Sequence, residues 1–316
     1  MSKQVRVWAL LGAILGMPWW ARAQDLTPRA YVITPVDANV VNLTYSHLGG
    51  SLLFDGAVPI TGATATIQLP VFSYYRSLNF FGRSANIAVG IPYGVGDFNG
   101  KVFDAPRYAY RSGLLDASVR FSVNLKGGPA MKAPEFMKWH QRILLGASLK
   151  IVAPTGQYNP TQLINWGNNR WAFKPEFGYS ERWKHWVLDA YAGVWFYTTN
   201  PEFFSHNPYF PGTQSLSEEP VGSIEGHLSY DFKPRLWVSL DGNFWFGGKT
   251  TIDGFQNPIT EQKSSRVGVT ASVPLTSHQA LKFTYSNGAY VNYGGNYQNV
   301  SISWQYSWIG WMPHAH

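Results

Sequence analysis

Near the end of the chain stands Val300-Ser-Ile-Ser-Trp-Gln-Tyr-Ser-Trp308. Val300, Ile302, Trp304, Tyr306 and Trp308 alternate without a break with Ser301, Ser303, Gln305 and Ser307. A period of two belongs to a β-strand whose two faces meet different surroundings. The same period recurs upstream. Leu281, Phe283 and Tyr285 alternate with Lys282, Thr284 and Ser286, and Val267, Val269, Ala271 and Val273 with Gly268, Thr270 and Ser272. Leu236, Val238, Leu240, Phe244 and Phe246 share a face opposite Ser239, Asp241 and Asn243. Ile224, Leu228, Tyr230 and Phe232 oppose Ser223, Glu225, His227, Ser229 and Asp231, while Phe173, Phe177 and Tyr179 oppose Lys174, Glu176 and Ser180. Ile143, Leu145, Ala147, Leu149 and Ile151 oppose Arg142, Ser148 and Lys150. Leu115, Ala117, Val119, Phe121 and Val123 oppose Asp116, Ser118, Arg120, Ser122 and Asn124. Residues 39–46, 67–75, 85–93 and 186–197 also read as strands, with a phase that composition alone does not fix. The sum is twelve candidate strands, and helical periodicity is almost absent.

The connections alternate as well. Short turns fall at 81–84, 183–185, 233–235 and 275–279, and long polar, Gly- and Pro-containing loops at 52–64, 94–112, 154–170, 198–220, 247–264 and 287–298. The connection at 126–140 breaks the rule, and its Pro134-Glu-Phe-Met-Lys-Trp139 is expected to form a helical turn or two at a membrane surface. Strands of this length occur in a soluble sandwich, which buries its apolar face, or in a membrane barrel, which turns that face to lipid. About ten residues match a tilted crossing of a bilayer and exceed the usual five or six of soluble strands. Tyr93, Trp171, Trp183, Trp186, Tyr197, Trp237, Phe246 and Trp308 gather at strand ends, where amphipathic rings meet lipid headgroups. The apolar faces of the clear strands carry no Lys or Arg, and such a charge costs about 2–4 kcal/mol at mid-bilayer. The expected fold is therefore all-β, a transmembrane antiparallel up-and-down β-barrel of about 12 strands spanning residues 39–308 as one domain.

Composition agrees. Of 316 residues only 14% are charged, against about 25% in an average soluble domain, while 51 are Phe, Trp or Tyr. There is no cysteine, which excludes disulfide scaffolds, thiolate metal sites and cysteine nucleophiles. Lys3 and Arg6 precede an apolar or small stretch from 7 to 21, and Ala21-Arg-Ala23 is an A-x-A cleavage site, so residues 1–23 are expected to be a signal peptide. The stretch is shorter than the roughly 20 residues of a membrane anchor. Losing Lys3, Arg6 and Arg22 with the leader lowers the formal charge from +7 to +4, so basicity says little about partners. No basic cluster points to nucleic acid. Residues 24–38 are expected to be a lead-in, either loose or tucked into the lumen, and residues 309–316 a short tail.

Pro154-Thr-Gly-Gln-Tyr158 and Ile164-Asn-Trp-Gly-Asn-Asn-Arg-Trp-Ala-Phe-Lys-Pro-Glu-Phe-Gly178 resemble the outer-membrane family associated with the meta-pathway of phenol degradation. So do Gly113-Leu-Leu-Asp116, Ser265-Arg-Val-Gly268 with Pro274, and Trp304-Gln-Tyr-Ser-Trp308. The resemblance runs over nearly all of residues 24–316 and is most specific at Asn169-Arg-Trp171 and Pro175-Glu176. It implies an outer-membrane channel of the kind often encoded beside degradation pathways for aromatic or hydrophobic compounds, and names no substrate. Many such barrels end in an aromatic that the assembly machinery reads. This chain ends Met-Pro-His-Ala-His316, which shifts that role to Trp308 or Trp311.

The inward faces supply the candidate site. Asp116, Arg120, Lys150, Lys174, Glu176, Arg182, Asp189, Glu225, Asp231 and Asp241, with Arg142, are expected to line the lumen. Charges of both signs read either as ion pairs that fill a narrow barrel or as a selectivity lining. About eight strands give a filled interior and about sixteen an open one, so twelve admits both. Asn169 and Arg170 stand where a long loop enters a strand and read as a constriction or as loop anchors. Tyr191, Trp195, Trp237 and Trp245, with Phe203, Phe204, Tyr209 and Phe210 of the longest loop, read as an apolar solute path or as girdle residues. His227 and Ser229 form an H-x-S pair like that of an outer-membrane phospholipase. Glu225 and Asp231 lie roughly 6–7 Å along the strand from them, and a lipid-cleaving site should face lipid rather than a lumen. The eight His are scattered and no phosphate loop occurs, so neither metal nor cofactor is expected. The expected function is passive transport of a small hydrophobic or aromatic compound across the outer membrane of a Gram-negative cell. The partners are outer-membrane lipid, the solute and the barrel-assembly machinery, and no oligomeric state is set. Two alternatives belong to other classes: a structural or adhesion barrel acting through its extracellular loops, and a lipid-modifying enzyme.

Overall fold

The structure, a computed structural model, describes residues 26–53, 60–102, 104–208 and 210–310. The expected leader, Tyr209, and residues 311–316 with Trp311 lie outside them. The strands are β1 (Ala38–Leu53), β2 (Ile60–Phe80), β3 (Arg83–Val102), β4 (Ala105–Leu114), β5 (Ser118–Lys126), β6 (Ile143–Val152), β7 (Ala172–Trp183) and β8 (Trp186–Tyr197). There follow β9 (Leu216–Glu218), β10 (Val221–Lys233), β11 (Leu236–Gly247), β12 (Thr250–Ile252), β13 (Phe255–Asn257), β14 (Gln262–Pro274), β15 (Gln279–Tyr290) and β16 (Gly294–Ile309).

Each wall strand pairs antiparallel with its sequence neighbour, and β1 pairs with β16 from Ala38 opposite Ile309 to Leu53 opposite Gly294. That last ladder closes the sheet, so every edge is satisfied by another strand. β3 pairs with β5 through Ala85–Gly90 and with β4 through Tyr93–Val102, so β4 and β5 together occupy one position in the wall. The wall is therefore a closed barrel of twelve strands. β9, β12 and β13 form a small separate sheet among the long loops.

The two faces are inverted relative to a soluble sandwich. Phe177 is 68% exposed, Leu240 64% and Val300 56%, whereas His227 and Ser229 opposite them are fully buried. Apolar side chains such as Leu43, Phe72, Ile224, Val267, Phe283 and Ile302 stand outward around the circumference, far beyond the few hundred Å² of apolar patch a soluble monomer shows. Arg76 and Glu181 point outward only near the short-turn end, where Arg76 pairs with Asp37 at 3.2 Å and Glu181 accepts from the Tyr179 hydroxyl at 2.6 Å.

Three sequence expectations need correction. The segments 52–64 and 94–112 are largely strand: β1 reaches Leu53, β2 begins at Ile60, β3 runs to Val102 and β4 starts at Ala105. These extensions rise past the apolar belt. Their inner faces bury Leu48, Leu52, Ala63, Ala65, Ile67 and Phe98 in one apolar cluster while Thr64 and Thr66 face out, an alternation of small and threonine side chains with too little hydropathy contrast to mark a strand. Leu115 belongs to an inner apolar cluster with Trp166, Phe98, Ile67 and Leu48, and Asp116 beside it is turned to a loop. Tyr197 faces inward, beneath the guanidinium of Arg170, rather than joining the outer girdle, and Trp237, which the sequence allows on either face, lies inside beneath Arg29. The irregular connection 127–142 does hold one helical turn, α1 (Ala133–Phe136), started by the Lys132 N–H donating to Glu135 Oε2 at 3.0 Å.

Candidate functional site: the barrel lumen

The lead-in enters the lumen before the first strand begins. Tyr31, 1% exposed, lays its ring over Gly146 of β6 and Gly178 of β7, which face each other across the ladder. A methyl group at either glycine would stand 2.3 or 2.1 Å from a ring carbon, so the close approach requires both glycines. The Tyr31 hydroxyl lies 2.9 Å from Ser148 Oγ and donates to Glu176 Oε1 at 3.0 Å. The Arg120 guanidinium sits 4.9 Å from the ring centre, and Tyr191 meets the ring edge-on at 5.1 Å. The Arg29 guanidinium pairs with Asp231 at 2.7 Å and covers Trp237 at 4.4 Å, and its backbone N–H donates to Asp189 Oδ2 at 3.1 Å. The Ala30 N–H donates to the Tyr191 hydroxyl at 3.0 Å, and Ile33 is buried. Residues 26–37 thus close the short-turn half of the barrel from within.

Above that segment runs a chain of charges. Arg120 pairs with Glu176 at 3.1 Å, Lys174 with Glu176 at 2.6 Å and with Glu225 at 3.0 Å. His227 lies between Glu225, 3.6 Å from Nε2, and Asp241, 2.8 Å from Nδ1. Thr270 and Ser239 donate to Asp241 at 2.6 and 2.7 Å. Register makes the chain possible: Glu176 faces Ser148 and Gly193, and His227 faces Asp241 and Asp189, so neighbouring strands present charges at one height. Buried charges are tolerated when opposite charge and hydrogen bonds surround them. The Ser229 hydroxyl makes no hydrogen bond to His227, whose Nδ1 is held by Asp241 while Nε2 stands 3.6 Å from Glu225, beyond hydrogen-bond reach.

An aromatic layer follows. Trp195 and Trp245, each 1% exposed, meet Ala172 and Val221, with the Lys150 and Lys174 ammoniums 5.6 and 5.7 Å from the Trp195 ring. The loop 153–171 folds over it. Asp116 accepts from the backbone N–H groups of Gly156 and Asn168, both at 3.0 Å, and Trp166 fills the inner cluster around Phe98. Arg170 makes a buried ion pair with Glu218 of β9, and Asn169 donates to Asn200 at 3.0 Å, so both fasten one long loop to the next. The Tyr158 hydroxyl joins this cap by donating to the Glu202 carbonyl at 2.9 Å, and burial holds its phenol above the ordinary value. Phe203 packs with Leu216, Phe204 and Ile252 among the loops, away from Trp195.

Between plug and cap remains a cavity of about 380 Å³, bordered by Val71, Gly90, Arg120, Lys150, Lys174 and Tyr191. Of the sequence candidates, Arg120, Lys150, Lys174, Glu176, Glu225 and Tyr191 meet there. Arg182, Asp189, Asp231 and Trp237 surround the lead-in, and Asp241 holds His227. Arg142 is exposed at the short-turn end. Arg29, Tyr31 and Arg266 were missed. Arg266, buried with its guanidinium 4.0 Å from the Tyr297 ring, shares the phase of Gly268 and Thr270, which would have found it. The lead-in has no periodicity to expose Tyr31.

A family model described as the putative MetA-pathway of phenol degradation matches residues 35–288. No curated protein matches the chain. Among solved structures, the COG4313 outer membrane channel from Pseudomonas putida F1 is similar at 16% identity and a TM-score of 0.75, over 90% of this chain and all of that one. The beta domain of the Bordetella autotransporter BrkA is similar at 10% identity and a TM-score of 0.46, over 85% and 99% of the two chains. The Pseudomonas putida toluene transporter TodX is similar at 10% identity and a TM-score of 0.45, over 94% and 96%.

Proposed function

The chain belongs to the family described as the putative MetA-pathway of phenol degradation, and from that premise we propose that it is an outer-membrane channel for small hydrophobic or aromatic compounds. It sits in the outer membrane of a Gram-negative cell, with its short turns in the periplasm and its long loops outside. Transport is passive: no nucleotide, metal or catalytic constellation is part of the reading. The observation that carries it is a closed barrel with an apolar exterior that encloses a cavity of about 380 Å³ next to buried aromatic rings. Tyr191 lines that cavity and Trp195 and Trp245 lie above it, so an aromatic solute that leaves water finds ring faces to stack on. The charged chain through Lys174, Glu176 and Glu225 sets which polar species share the path.

Vesicles whose outer leaflet contains lipopolysaccharide test the reading. Purified protein should raise the entry rate of small aromatic solutes above that of protein-free vesicles, with hydrophilic sugars of the same size gaining little. Equal entry with and without protein overturns it.

A further inference from the structure

The cavity between plug and cap, about 380 Å³, has a divided wall. Val71, Ala88 and Gly90 of β2 and β3 give it an apolar side. The next three strands turn cations into it. Register sets Ala88 opposite Arg120, Arg120 opposite Lys150 and Lys150 opposite Lys174, so one row across four strands runs from an alanine into three basic side chains. Like charges directly opposed in a ladder destabilise it. Two carboxylates, Glu176 and Glu225, also border the cavity, and both are engaged. Glu176 pairs with Arg120 and Lys174, and Glu225 with Lys174. Three cations against two carboxylates leave the lining with one positive charge in excess. Lys150, at the middle of the row, places its ammonium 5.6 Å from the Trp195 ring, whose face attracts it without cancelling its charge.

We propose that this cavity is a binding site for aromatic monoanions, aryl carboxylates above all, a ligand class that rests on the channel reading above and narrows it. The ring lies against Val71, Ala88 and the Tyr191 side chain, and the carboxylate reaches Arg120 and Lys150. The two cations suit that division of labour. A guanidinium presents a planar fork that matches a carboxylate, and an ammonium acts as a compact point charge. One negative charge balances the excess in the lining and separates the opposed cations of the row, whereas a neutral ring adds nothing to offset it. A dianion overshoots that balance beside Glu176 and Glu225. The apolar side removes the ring from water and is where a ligand without a ring forfeits affinity. The volume falls within the range of small-molecule sites, which combine apolar walls with a few placed polar groups.

Benzoate, benzamide and acetate are titrated calorimetrically into the full-length protein in detergent micelles at neutral pH. Benzamide has the shape of benzoate without its charge, and acetate has the charge without the ring. Benzoate should bind saturably and about tenfold or more tighter than either. Lys150→Gln, folded as judged by heat-modifiable migration, should lose the preference for benzoate over benzamide, and Lys150→Arg should keep it. Benzamide bound as well as benzoate, or no binding of either, overturns the anion site. Acetate bound as well as benzoate overturns its aromatic class. A preference that survives in folded Lys150→Gln overturns the role of the cationic row. None of these results touches the channel reading, which falls only if vesicles take up aromatic solutes equally with and without the protein.

Discussion

Tyr31 shows how much a single ring can hold. Its contacts reach Ser148, Glu176, Arg120 and Tyr191, on four different strands. The seat exists because Gly146 and Gly178 lack side chains, so Gly178→Ala tests it directly. The added methyl overpacks the ring, which typically costs about 1–3 kcal/mol and would lower occupancy of the seat by about 5–150-fold. Trypsin cleavage after Arg29 should accelerate, and unchanged cleavage would show that the ring is held by something else. Residue-level reading of the sequence went furthest where phase was clear. The inward positions of Lys174, Glu176, Glu225, His227 and Asp241 follow from alternation alone, because neighbours two apart must share a face. Arg29 and Tyr31 were illegible because their partners lie more than a hundred residues away and no local pattern marks them.

At the scale of elements, the strands β10, β11 and β14 to β16 were legible because one face meets hydrocarbon and the other the lumen. The upper parts of β1 to β4 were not, because small inner residues such as Ala63 and Ala65 alternate with Thr64 and Thr66, which leaves too little contrast in hydropathy to read. The small sheet of β9, β12 and β13 was illegible because three-residue strands carry little signal. That sheet is tied to the loop 153–171 through Arg170 and Glu218, of which 6% and 2% of the side chains are exposed. Breaking a buried pair by removing one partner typically costs about 3–5 kcal/mol, because the other charge stays buried and uncompensated. Arg170→Ala should therefore loosen the cap and expose the segment 198–220 to surface proteolysis while the wall keeps its heat-modifiable migration. A cap as protease-resistant as the unsubstituted one would count against this anchor.

Across the whole molecule, a low-charge exterior surrounds a charge-rich interior, and the proposed selectivity lining stands on the wall strands. Glu225→Gln leaves Lys174 with Glu176 as its remaining carboxylate and makes the lumen one charge more positive. Reversal potentials across a salt gradient should shift toward anions, and an unchanged potential would mean that ions do not pass this chain of charges. The closing ladder has a further bearing. Ala38 pairs with Ile309 and the lead-in precedes both, while Tyr31 finds its partners 117 and 145 residues onward. Loop closure over such separations is slow. The plug must take its place before the last seam zips or enter afterwards through an open end. Maturation of this barrel is thus a matter of timing, and a chain whose lead-in arrives late would finish as a leaky but otherwise complete wall.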